Sequence, residues 1–450
     1  MGPAPPPPVV RAPGGGDGPP YGPADRGFLG SETTRTPPND GTRMPHVRRN
    51  ADPLPRAARA RRRKSPSRLR TGAVLAAALV LASPAGALAG PASPPAPAEA
   101  PRASLPAPTG ERPVGRTTLH LVDEGREDMW VGGPRELMAT LWYPARSDAG
   151  RRAPYMTEAE SAATLEARGV TGLPADTLHR VRTHSRLDVA PARTGDGLPL
   201  VVLSPGAGHN RIWFSSLAEE LASHGFVVAA VDHAHESAPV EYPHGLVTGC
   251  AGCGSGEWAR GAVNRAGDVS FLLDRLTGPD PAWRWSHVID ASRIGMAGHS
   301  WGGSATAETL RLEERVDAGI NLDGPYYATA LEEDLDKPLA LLGNDRGIVW
   351  EGHEEMWPRL TGWRQWIRVT GSGHSNGIDQ GLVTEQLGLR DMYPAEEWRN
   401  LYGDIPVGHG LDLVRAYGLA FFDHHLRGGD QPLLDDPERV HPELVVVDPG

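Results

Sequence analysis

Short apolar runs alternate with helical stretches along most of this chain, and this alternation constrains the fold more than any other feature. The runs LMATLWYP, LPLVVLSPGAG and FVVAAVDH have the composition and length of buried strands. The stretch WFSSLAEELASHG, between the second and third runs, has apolar residues at helical spacing. This order of strand, helix and strand is typical of parallel sheets covered by helices on both faces.

The same order continues toward the C-terminus. We predict helices in NRAGDVSFLLDRLTG and GGSATAETLRLEE, and strands in SRIGMAGHS and VDAGINLDG. Two further strands are predicted in KPLALLGND and RQWIRVTGSGH, and a closing amphipathic helix in GLDLVRAYGLAFFDHHLRG. The predicted fold class is therefore α/β, a mostly parallel, doubly wound sheet. Functional residues are expected at the carboxyl ends of its strands.

The N-terminal part of the chain does not follow this pattern. Residues 1–70 are rich in Pro, Gly and Arg without apolar periodicity, and we predict that they are disordered. Residues 71–89 combine a short apolar run, preceded by basic residues, with a final small-x-small site, which predicts an export signal cut after Ala89. Residues 90–113 are Pro- and Ala-rich and are predicted to be a linker, and residues 114–450 to be one catalytic domain.

Two alternatives stay open at this end of the chain. Translation could begin at Met44 instead of Met1. The apolar run from Gly72 to Ala82 could also remain uncut as a membrane anchor, although it has about half of the ~20 residues that a spanning helix needs. We favour export.

The charge of the chain bears on its partners. The net charge is −11, and since the first 89 residues are basic, the remaining body is more acidic still. Nucleic-acid binding requires clustered cations that face phosphates, so we predict no nucleic-acid partner.

The chain has two cysteines, Cys250 and Cys253, in the glycine-rich sequence TGCAGCGSG. Two thiols cannot supply the four ligands of a structural zinc site. In an exported chain we therefore favour a local disulfide that closes this loop.

The sequence MAGHSWGGSA predicts a nucleophile elbow. Ser300 lies between Gly298 and Gly302, at the end of a predicted strand and the start of a predicted helix, where a tight turn would expose its hydroxyl group. The backbone N–H of Trp301 would then face a developing oxyanion. The second donor is expected in the early turn SPGAGHN, where we select the N–H of Ala207.

A serine nucleophile needs a histidine base and a carboxylate that orients it. His374, in VTGSGHSNGID, follows a predicted strand in a loop of small residues and is the candidate base. Asp323 and Asp345 both end predicted strands between Ser300 and His374. In most proteins of this fold the acid follows the later strand, which favours Asp345, but the pattern alone leaves the two nearly even.

Two other groups have structural interpretations that compete with functional ones. The sequence DHAHES places His233, His235 and Glu236 after a strand, but metal binding is weakly supported there. Asp268 is predicted to support the structure by pairing with Arg265. Four tryptophans between the candidate acids and His374 are predicted to be core residues, with an acyl-binding wall as the alternative: Trp350, Trp357, Trp363 and Trp366.

The motifs LASHGFVVAAVDH, GHSWGG, GINLDG and VTGSGHSN resemble the platelet-activating factor acetylhydrolases of the plasma and type II intracellular group. Several are shared with actinobacterial esterases of the dienelactone hydrolase type. The likeness covers Arg116 to Gly428 and implies an α/β-hydrolase fold. It also implies that the acid lies in an LD motif, which favours Asp323 over Asp345, and it supports Ala207 as the oxyanion donor. The resemblance implies no calcium, and we predict no cofactor and no metal.

The sequence therefore predicts a secreted serine esterase. Its expected substrate is a small ester or a phospholipid with a short acyl group, as in platelet-activating factor, and a transient contact with a lipid surface is compatible with that substrate. A general carboxylesterase, lipase or polyester hydrolase is the alternative. A catalytically silent fold used for binding is the alternative from another class, although Ser300, Asp323 and His374 all stand in fitting contexts.

Overall fold

The structure of the chain is a computed structural model that describes residues 102–447 except 194, 328–329, 331, 346–349 and 351. The predicted disordered segment and the predicted export signal lie outside the described residues. So do residues 90–101 of the predicted linker.

Strands and helices alternate through the described part of the chain, as the apolar pattern predicts. The strands are β1 Val114–Glu127, β2 Pro134–Pro144, β3 Arg186–Leu187, β4 Leu198–Ser204, β5 Val227–His233, β6 Val240–Tyr242, β7 Gly245–Val247, β8 Ile289–His299, β9 Ala318–Leu322, β10 Leu339–Asn344, β11 Arg364–Val369 and β12 Leu444–Val446. The helices are α1 Glu158–Ala167, α2 Ser215–Ser223, α3 Trp258–Thr277, α4 Trp301–Leu312, α5 His353–Met356, α6 Gln380–Gln386, α7 Ala395–Tyr402, α8 Val407–Arg427, α9 Pro432–Asp435 and α10 Pro437–Val440. Short 3-10 turns occupy Arg211–Phe214, Ser286–Val288, Trp357–Arg359 and Arg390–Met392.

Ten of these strands form one sheet, in the order β12, β11, β10, β9, β8, β4, β5, β2, β1, β3. The six strands from β11 to β5 are parallel to one another, and β12 and β2 flank them as antiparallel neighbours. Strands β4, β5 and β9 are buried along their whole length, which explains their continuous apolar runs. The predicted α/β-hydrolase fold with a mostly parallel sheet is confirmed.

Helices cover both faces of the sheet. Val201 and Leu203 of β4 pack in an apolar cluster with residues of α2 and α8. Leu200 and Val202, which point to the other face because side chains alternate along a strand, pack in a second cluster with residues of α3 and α4. The core thus consists of two apolar layers, one on each side of the sheet.

The folded body begins before the predicted domain boundary at residue 114. Ala103 and Leu105 are each only 2% exposed and belong to the apolar cluster that contains α2 and α8. The N–H of Leu105 donates to the carbonyl of Arg182 at 2.9 Å, and that of Arg112 to the carbonyl of Ser223 at 3.2 Å. Residues 102–113 are therefore part of the folded body rather than a linker, because their apolar side chains find a place in the core.

The segment between β5 and α3 contains the hairpin of β6 and β7, in which Val240 pairs with Val247. The predicted disulfide between Cys250 and Cys253 follows it. Among the residues that the structure describes, none of the helices combines the length and the apolar character that crossing a membrane requires.

Candidate active site

Ser300 occupies the strained turn that the sequence predicts between a strand and a helix. It lies between His299, the last residue of β8, and Trp301, the first residue of α4, with φ of 53° and ψ of −120°. A Cβ atom at Gly298 would collide with the carbonyl oxygen of Gly302, and one at Gly302 with that of Ser204. The turn therefore needs both glycines, and its strain is the kind that nucleophile elbows retain.

The early turn that follows β4 lies directly against Ser300. A Cβ atom built on Gly206 would be 3.2 Å from the Cβ of Ser300. The N–H of Gly208 donates to the carbonyl of Glu236 at 2.9 Å, and that of His209 to the carbonyl of Gly206 at 3.2 Å. Since these two N–H groups are used within the protein, the N–H of Ala207 remains the candidate oxyanion donor in this turn.

Trp301 is the other candidate donor of an oxyanion hole. As the first residue of α4 it carries one of the helix-start N–H groups that have no acceptor within the helix. The positive end of the helix dipole adds to the attraction for a negative charge at this point.

Asp323 and His374 meet at the carboxyl edge of the sheet, although β10 lies between the strands β9 and β11 that precede them. Asp323 directly follows β9, and its Oδ2 atom lies 2.6 Å from Nδ1 of His374. The same carboxylate accepts hydrogen bonds from the backbone N–H of Asn344 at 3.1 Å and from its side-chain amide at 2.8 and 3.0 Å. Burial alone would raise the pKa of Asp323, but the hydrogen bonds from His374 and Asn344 lower it below its usual value. The carboxyl group is therefore ionised at neutral pH.

Asp345, the other candidate acid, has different partners. Its Oδ2 atom accepts a hydrogen bond from the N–H of Gly371 at 2.8 Å, and its Oδ1 atom lies 3.4 Å from Nε of Arg368. Asp345 thus fixes the loop that leads to His374, whereas Asp323 contacts the imidazole itself.

Two further histidines accompany His374, and the sequence reasoning did not single them out. The Nε2 atom of His299 lies 2.8 Å from the carbonyl oxygen of His374, and the two rings are 4.7 Å apart. The ring of His209 is 5.9 Å from that of His299. Burial holds the pKa of His299 well below its usual value, and burial together with the positive charge of Arg168 lowers that of His209 to about 4. Both rings are therefore neutral beside the candidate base.

The four tryptophans between the candidate acids and His374 divide into two groups. Trp350 lies against His374, with the rings 5.2 Å apart. Trp357 and Trp366 pack on each other at 6.0 Å, and Trp363 packs on Phe421 at 5.6 Å. Trp350 alone among the four is placed by these contacts at the site. Trp366 is a core residue, and Trp357 and Trp363 are partly buried and pack against the core.

Arg265 connects the two segments that carry the candidate oxyanion donors. Its Nε atom donates to Glu236 at 2.6 Å and its Nη1 atom to the carbonyl of Pro205 at 2.5 Å. Its guanidinium carbon lies 4.1 Å from the centre of the Trp301 ring, within the range of a cation–π interaction. One buried side chain therefore fixes the early turn and the first residue of α4.

Of the three residues weighed as metal ligands, His233 and Glu236 are instead members of this buried charge network. His235 is partly exposed, and its carbonyl accepts a hydrogen bond from the N–H of Gly252 at 3.0 Å. His233 lies 2.8 Å from Asp268 and 2.9 Å from the hydroxyl of Ser204. The predicted pairing of Asp268 with Arg265 is wrong. Asp268 pairs with Arg126 and Arg135, each at 2.7 Å, whereas the charge of Arg265 is taken up by Glu236 at 2.6 Å.

An aromatic cluster lies beside the candidate oxyanion hole. Ala207, Ala262 and Trp301 form its buried part, and partly buried residues pack against them: Trp130, Cys253, Trp258 and Tyr327. The ring of Trp258 meets that of Trp301 at 4.9 Å in an edge-to-face arrangement. The disulfide loop closes one side, since a Cβ atom on Gly208 would be 3.6 Å from Sγ of Cys253. An apolar surface therefore adjoins the point at which an ester carbonyl would sit.

Comparison with known proteins gives three concordant similarities. Residues 99–245 match the family described as platelet-activating factor acetylhydrolase, isoform II. The chain is 29% identical over 373 residues to a probable 1-alkyl-2-acetylglycerophosphocholine esterase of Arthroderma benhamiae, covering 76% of this chain and 94% of the relative. It is 27% identical over 298 residues to the platelet-activating factor acetylhydrolase of Cavia porcellus, covering 57% of this chain and 65% of that protein.

A solved structure shows a similarity of the same extent. The ferulic acid esterase from Streptomyces cinnamoneus is 41% identical in sequence and superposes with a TM-score of 0.70, over 77% of this chain and 99% of that one. The family match ends before Ser300, whereas the similarities to the fungal relative and to the esterase each cover about three quarters of the chain.

Proposed function

We propose that this chain, which belongs to the platelet-activating factor acetylhydrolase family of α/β hydrolases and is an ester hydrolase by that membership, is a serine esterase. In this proposal Ser300 is the nucleophile, His374 is the general base and Asp323 is the orienting acid. The hydrogen bond of 2.6 Å between Asp323 and His374 is the single observation that most supports this assignment. The strained conformation of Ser300 at the start of α4 agrees with it.

In the proposed reaction, the hydroxyl oxygen of Ser300 attacks the ester carbonyl while His374 takes its proton. The resulting oxyanion accepts hydrogen bonds from the N–H groups of Trp301 and Ala207. Collapse of the intermediate expels the alcohol, which receives the proton from His374, and leaves an acyl group on Ser300. Water then attacks this acyl-enzyme by the same proton transfers and releases the carboxylic acid. Asp323 keeps its charge throughout and stabilises the imidazolium.

We propose short-acyl lipid esters, of the type of 1-alkyl-2-acetylglycerophosphocholine, as the first substrate class. The family match and the similarity to the probable esterase of Arthroderma benhamiae over 94% of its length support this class. The acidic net charge of the chain is compatible with a neutral or zwitterionic substrate.

A second substrate class rests on a separate observation. The aromatic cluster beside the oxyanion hole offers the edges and faces of Trp130, Trp258 and Tyr327 to an acyl group. Aromatic side chains pair favourably with an aromatic acyl group in edge-to-face or offset arrangements. Together with the 41% identical ferulic acid esterase, this favours hydroxycinnamoyl esters as the alternative to short-acyl lipids.

The proposal is tested by hydrolysis of three esters with the purified chain: p-nitrophenyl acetate, 1-alkyl-2-acetylglycerophosphocholine and methyl ferulate. We expect the Ser300→Ala variant to lose activity on every ester that the parent cleaves, and Ser292→Ala, which alters a surface serine bonded to Asp290, to retain it. The ratio of kcat/KM for the phospholipid and the ferulate decides between the substrate classes. Turnover unchanged in Ser300→Ala would exclude the mechanism.

Export of the protein is also a proposal, supported by the basic and apolar sequence before Ala89. Cleavage there would leave Gly90 as the first residue, ahead of the folded body that begins by residue 102. N-terminal sequencing of protein from the culture fluid tests it, and activity confined to the membrane fraction would favour the uncut anchor.

A further inference from the structure

Two histidines and a glutamate from separate parts of the chain converge on one point of the surface. The Oε2 atom of Glu136 lies 2.8 Å from Nε2 of His120 and 2.9 Å from Nε2 of His244. The three atoms that could act as ligands all lie within 4.8 Å of one another. The side chains are 26%, 25% and 57% exposed for His120, Glu136 and His244, so a small ion can reach them.

The register of two antiparallel strands brings the first two ligands together. Glu136 of β2 pairs with Val122 of β1, and His120 pairs with Met138. Since alternate residues of a strand point to the same face, His120 and Glu136 are diagonal neighbours on one side of the sheet. Their proximity is therefore fixed by backbone pairing and does not depend on a flexible loop.

Apolar packing brings the third ligand to the same place. Met138 packs against Val240 and Tyr242 of the hairpin formed by β6 and β7. His244 lies in the turn of this hairpin, and its ring stacks on that of Tyr242 with an interplanar angle of 6° and a separation of 5.3 Å. Tyr242 also meets His120 edge-on at 6.0 Å. One buried tyrosine thus orients both imidazoles.

The glutamate provides the oxygen ligand of the group. Its Oε2 atom lies within hydrogen-bonding distance of both imidazole nitrogens, at 2.8 Å from Nε2 of His120 and 2.9 Å from Nε2 of His244. A carboxylate oxygen that meets two imidazole nitrogens at one point is a donor set that a divalent cation accepts.

We propose that His120, Glu136 and His244 form a zinc-binding site. Two imidazole nitrogens and one carboxylate oxygen are a ligand combination that Zn²⁺ accepts, with water completing a tetrahedral arrangement. Binding requires each imidazole to carry its proton on Nδ1, so that the Nε2 lone pair faces the metal. The sequence reasoning predicted no metal because these residues are far apart in the chain.

The proposed zinc site shares no residue with the proposed catalytic group. We expect zinc to act on the hairpin of β6 and β7. The metal would join β1 and β2 to the turn between β6 and β7, and the disulfide loop follows this hairpin directly in the chain. Zinc is therefore expected to restrain the segment that leads to the aromatic cluster, without taking part in the reaction.

The test is zinc binding to the untagged, chelator-treated chain, measured by titration calorimetry and by the visible absorption of Co²⁺ as a substitute. We expect the parent to bind one ion per chain and to show the tetrahedral Co²⁺ bands. In His120→Ala and in His244→Ala the affinity should be at least tenfold weaker and these bands should be lost. Glu136→Gln keeps the size and the hydrogen-bonding oxygen of the side chain, so it separates the loss of a ligand from misfolding.

His409→Ala is the matched control, because His409 contacts Glu443 at 3.0 Å as an exposed histidine–glutamate pair that belongs to no group of three possible metal ligands among the described residues. Its affinity for zinc should equal that of the parent. Failure of the parent to bind one ion saturably, or affinity unchanged in the His120, His244 and Glu136 variants, would overturn the proposal. An equal loss in His409→Ala would show adventitious surface binding and would overturn it as well. Since the readout is binding, these outcomes do not depend on esterase activity.

Discussion

The carboxylate of Asp323 accepts a hydrogen bond from Nδ1 of His374 at 2.6 Å, although 51 positions separate the two residues in the chain. The backbone N–H and the side-chain amide of Asn344 hold the same carboxylate from the next strand. Since β9 and β10 are parallel neighbours, with Leu322 paired to Leu342, the end of β10 supplies these donors without any additional loop. The orientation of the Asp323 carboxylate is therefore determined by the sheet itself.

Exchange of the acid is the first prediction. Asp323→Asn removes the charge that stabilises the imidazolium and can favour the wrong tautomer of His374, so kcat should fall by about ten-thousandfold. Asp345→Asn should reduce kcat by less than about tenfold, because Asp345 contacts the N–H of Gly371 and not the imidazole. Steady-state kinetics with p-nitrophenyl acetate measure both. A large loss confined to Asp345→Asn would assign the acid to the later strand.

The choice between these two aspartates illustrates what the sequence can predict. Both follow buried parallel strands, so periodicity places both at the correct edge of the sheet. Which of them meets His374 depends on the path of the loop from Val369 to His374, which is set by contacts such as that of Gly371 with Asp345. A pattern with a period of two or 3.6 residues carries no information about such a path.

The elements of the sheet were predictable for a related reason. The central strands are buried on both faces, so their apolar runs stand out in the sequence. The antiparallel pair of β1 and β2 has a partly exposed face, and its register, which unites His120 with Glu136, depends on long-range pairing. The burial of Ala103 and Leu105 was likewise hidden, because Pro-rich composition resembles that of a linker whether or not the core accepts its side chains.

Removal of Arg265 is the second prediction. Arg265→Met deletes the hydrogen bond to Pro205 and the contact with Trp301, so the two oxyanion donors should lose their alignment. Since one oxyanion donor contributes roughly 3 kcal/mol to transition-state stabilisation, we expect kcat to fall by about 10- to 100-fold with a small change in KM.

Arg135→Met is the control for this effect. Arg135 is buried in the same network and pairs with Glu236 and Asp268, but its hydrogen bonds go to neither Pro205 nor Trp301. Both variants should be destabilised in urea unfolding by roughly 3–5 kcal/mol, as expected when one partner of a buried ion pair is removed. When kcat is expressed per folded molecule, only Arg265→Met should have a lower kcat than the parent. Equal kcat in the two variants would refute the positioning role.

Opening of the disulfide is the third prediction. The bridge between Cys250 and Cys253 closes a very short loop, so the double variant Cys250→Ser/Cys253→Ser should lose about 2 kcal/mol of unfolding free energy or less. The loop packs against Trp130, since a Cβ atom on Gly252 would be 3.1 Å from that ring. KM should therefore rise for methyl ferulate or the phospholipid and remain near the parent value for p-nitrophenyl acetate. A uniform change for all three esters would contradict this local role.

The pH dependence of stability is the fourth prediction, and it concerns His209. The pKa of His209 is lowered to about 4 in the folded chain by burial, by Arg168 and by His374, whereas an unfolded histidine titrates near 6.5. Between these two pKa values the unfolded chain binds more protons than the folded chain, so the unfolding free energy rises with pH. The stabilising contribution of His209 is complete above pH ~7. The difference corresponds to about 3 kcal/mol at most, and to less in practice because the ring is partly exposed.

Asp379 acts in the opposite direction and makes a matched comparison necessary. Burial raises its pKa to about 7, so the folded chain binds the extra proton between pH ~4 and 7 and loses stability as the pH rises through this window. We therefore compare the urea unfolding of the parent and of His209→Asn at pH 7, 6 and 5. The contribution of Asp379 is the same in both proteins and drops out of the difference between them. We expect the parent to lose more unfolding free energy than the variant between pH 7 and 5, because asparagine does not titrate. Parallel curves for the two proteins would show that His209 is protonated as readily in the folded chain as in the unfolded one.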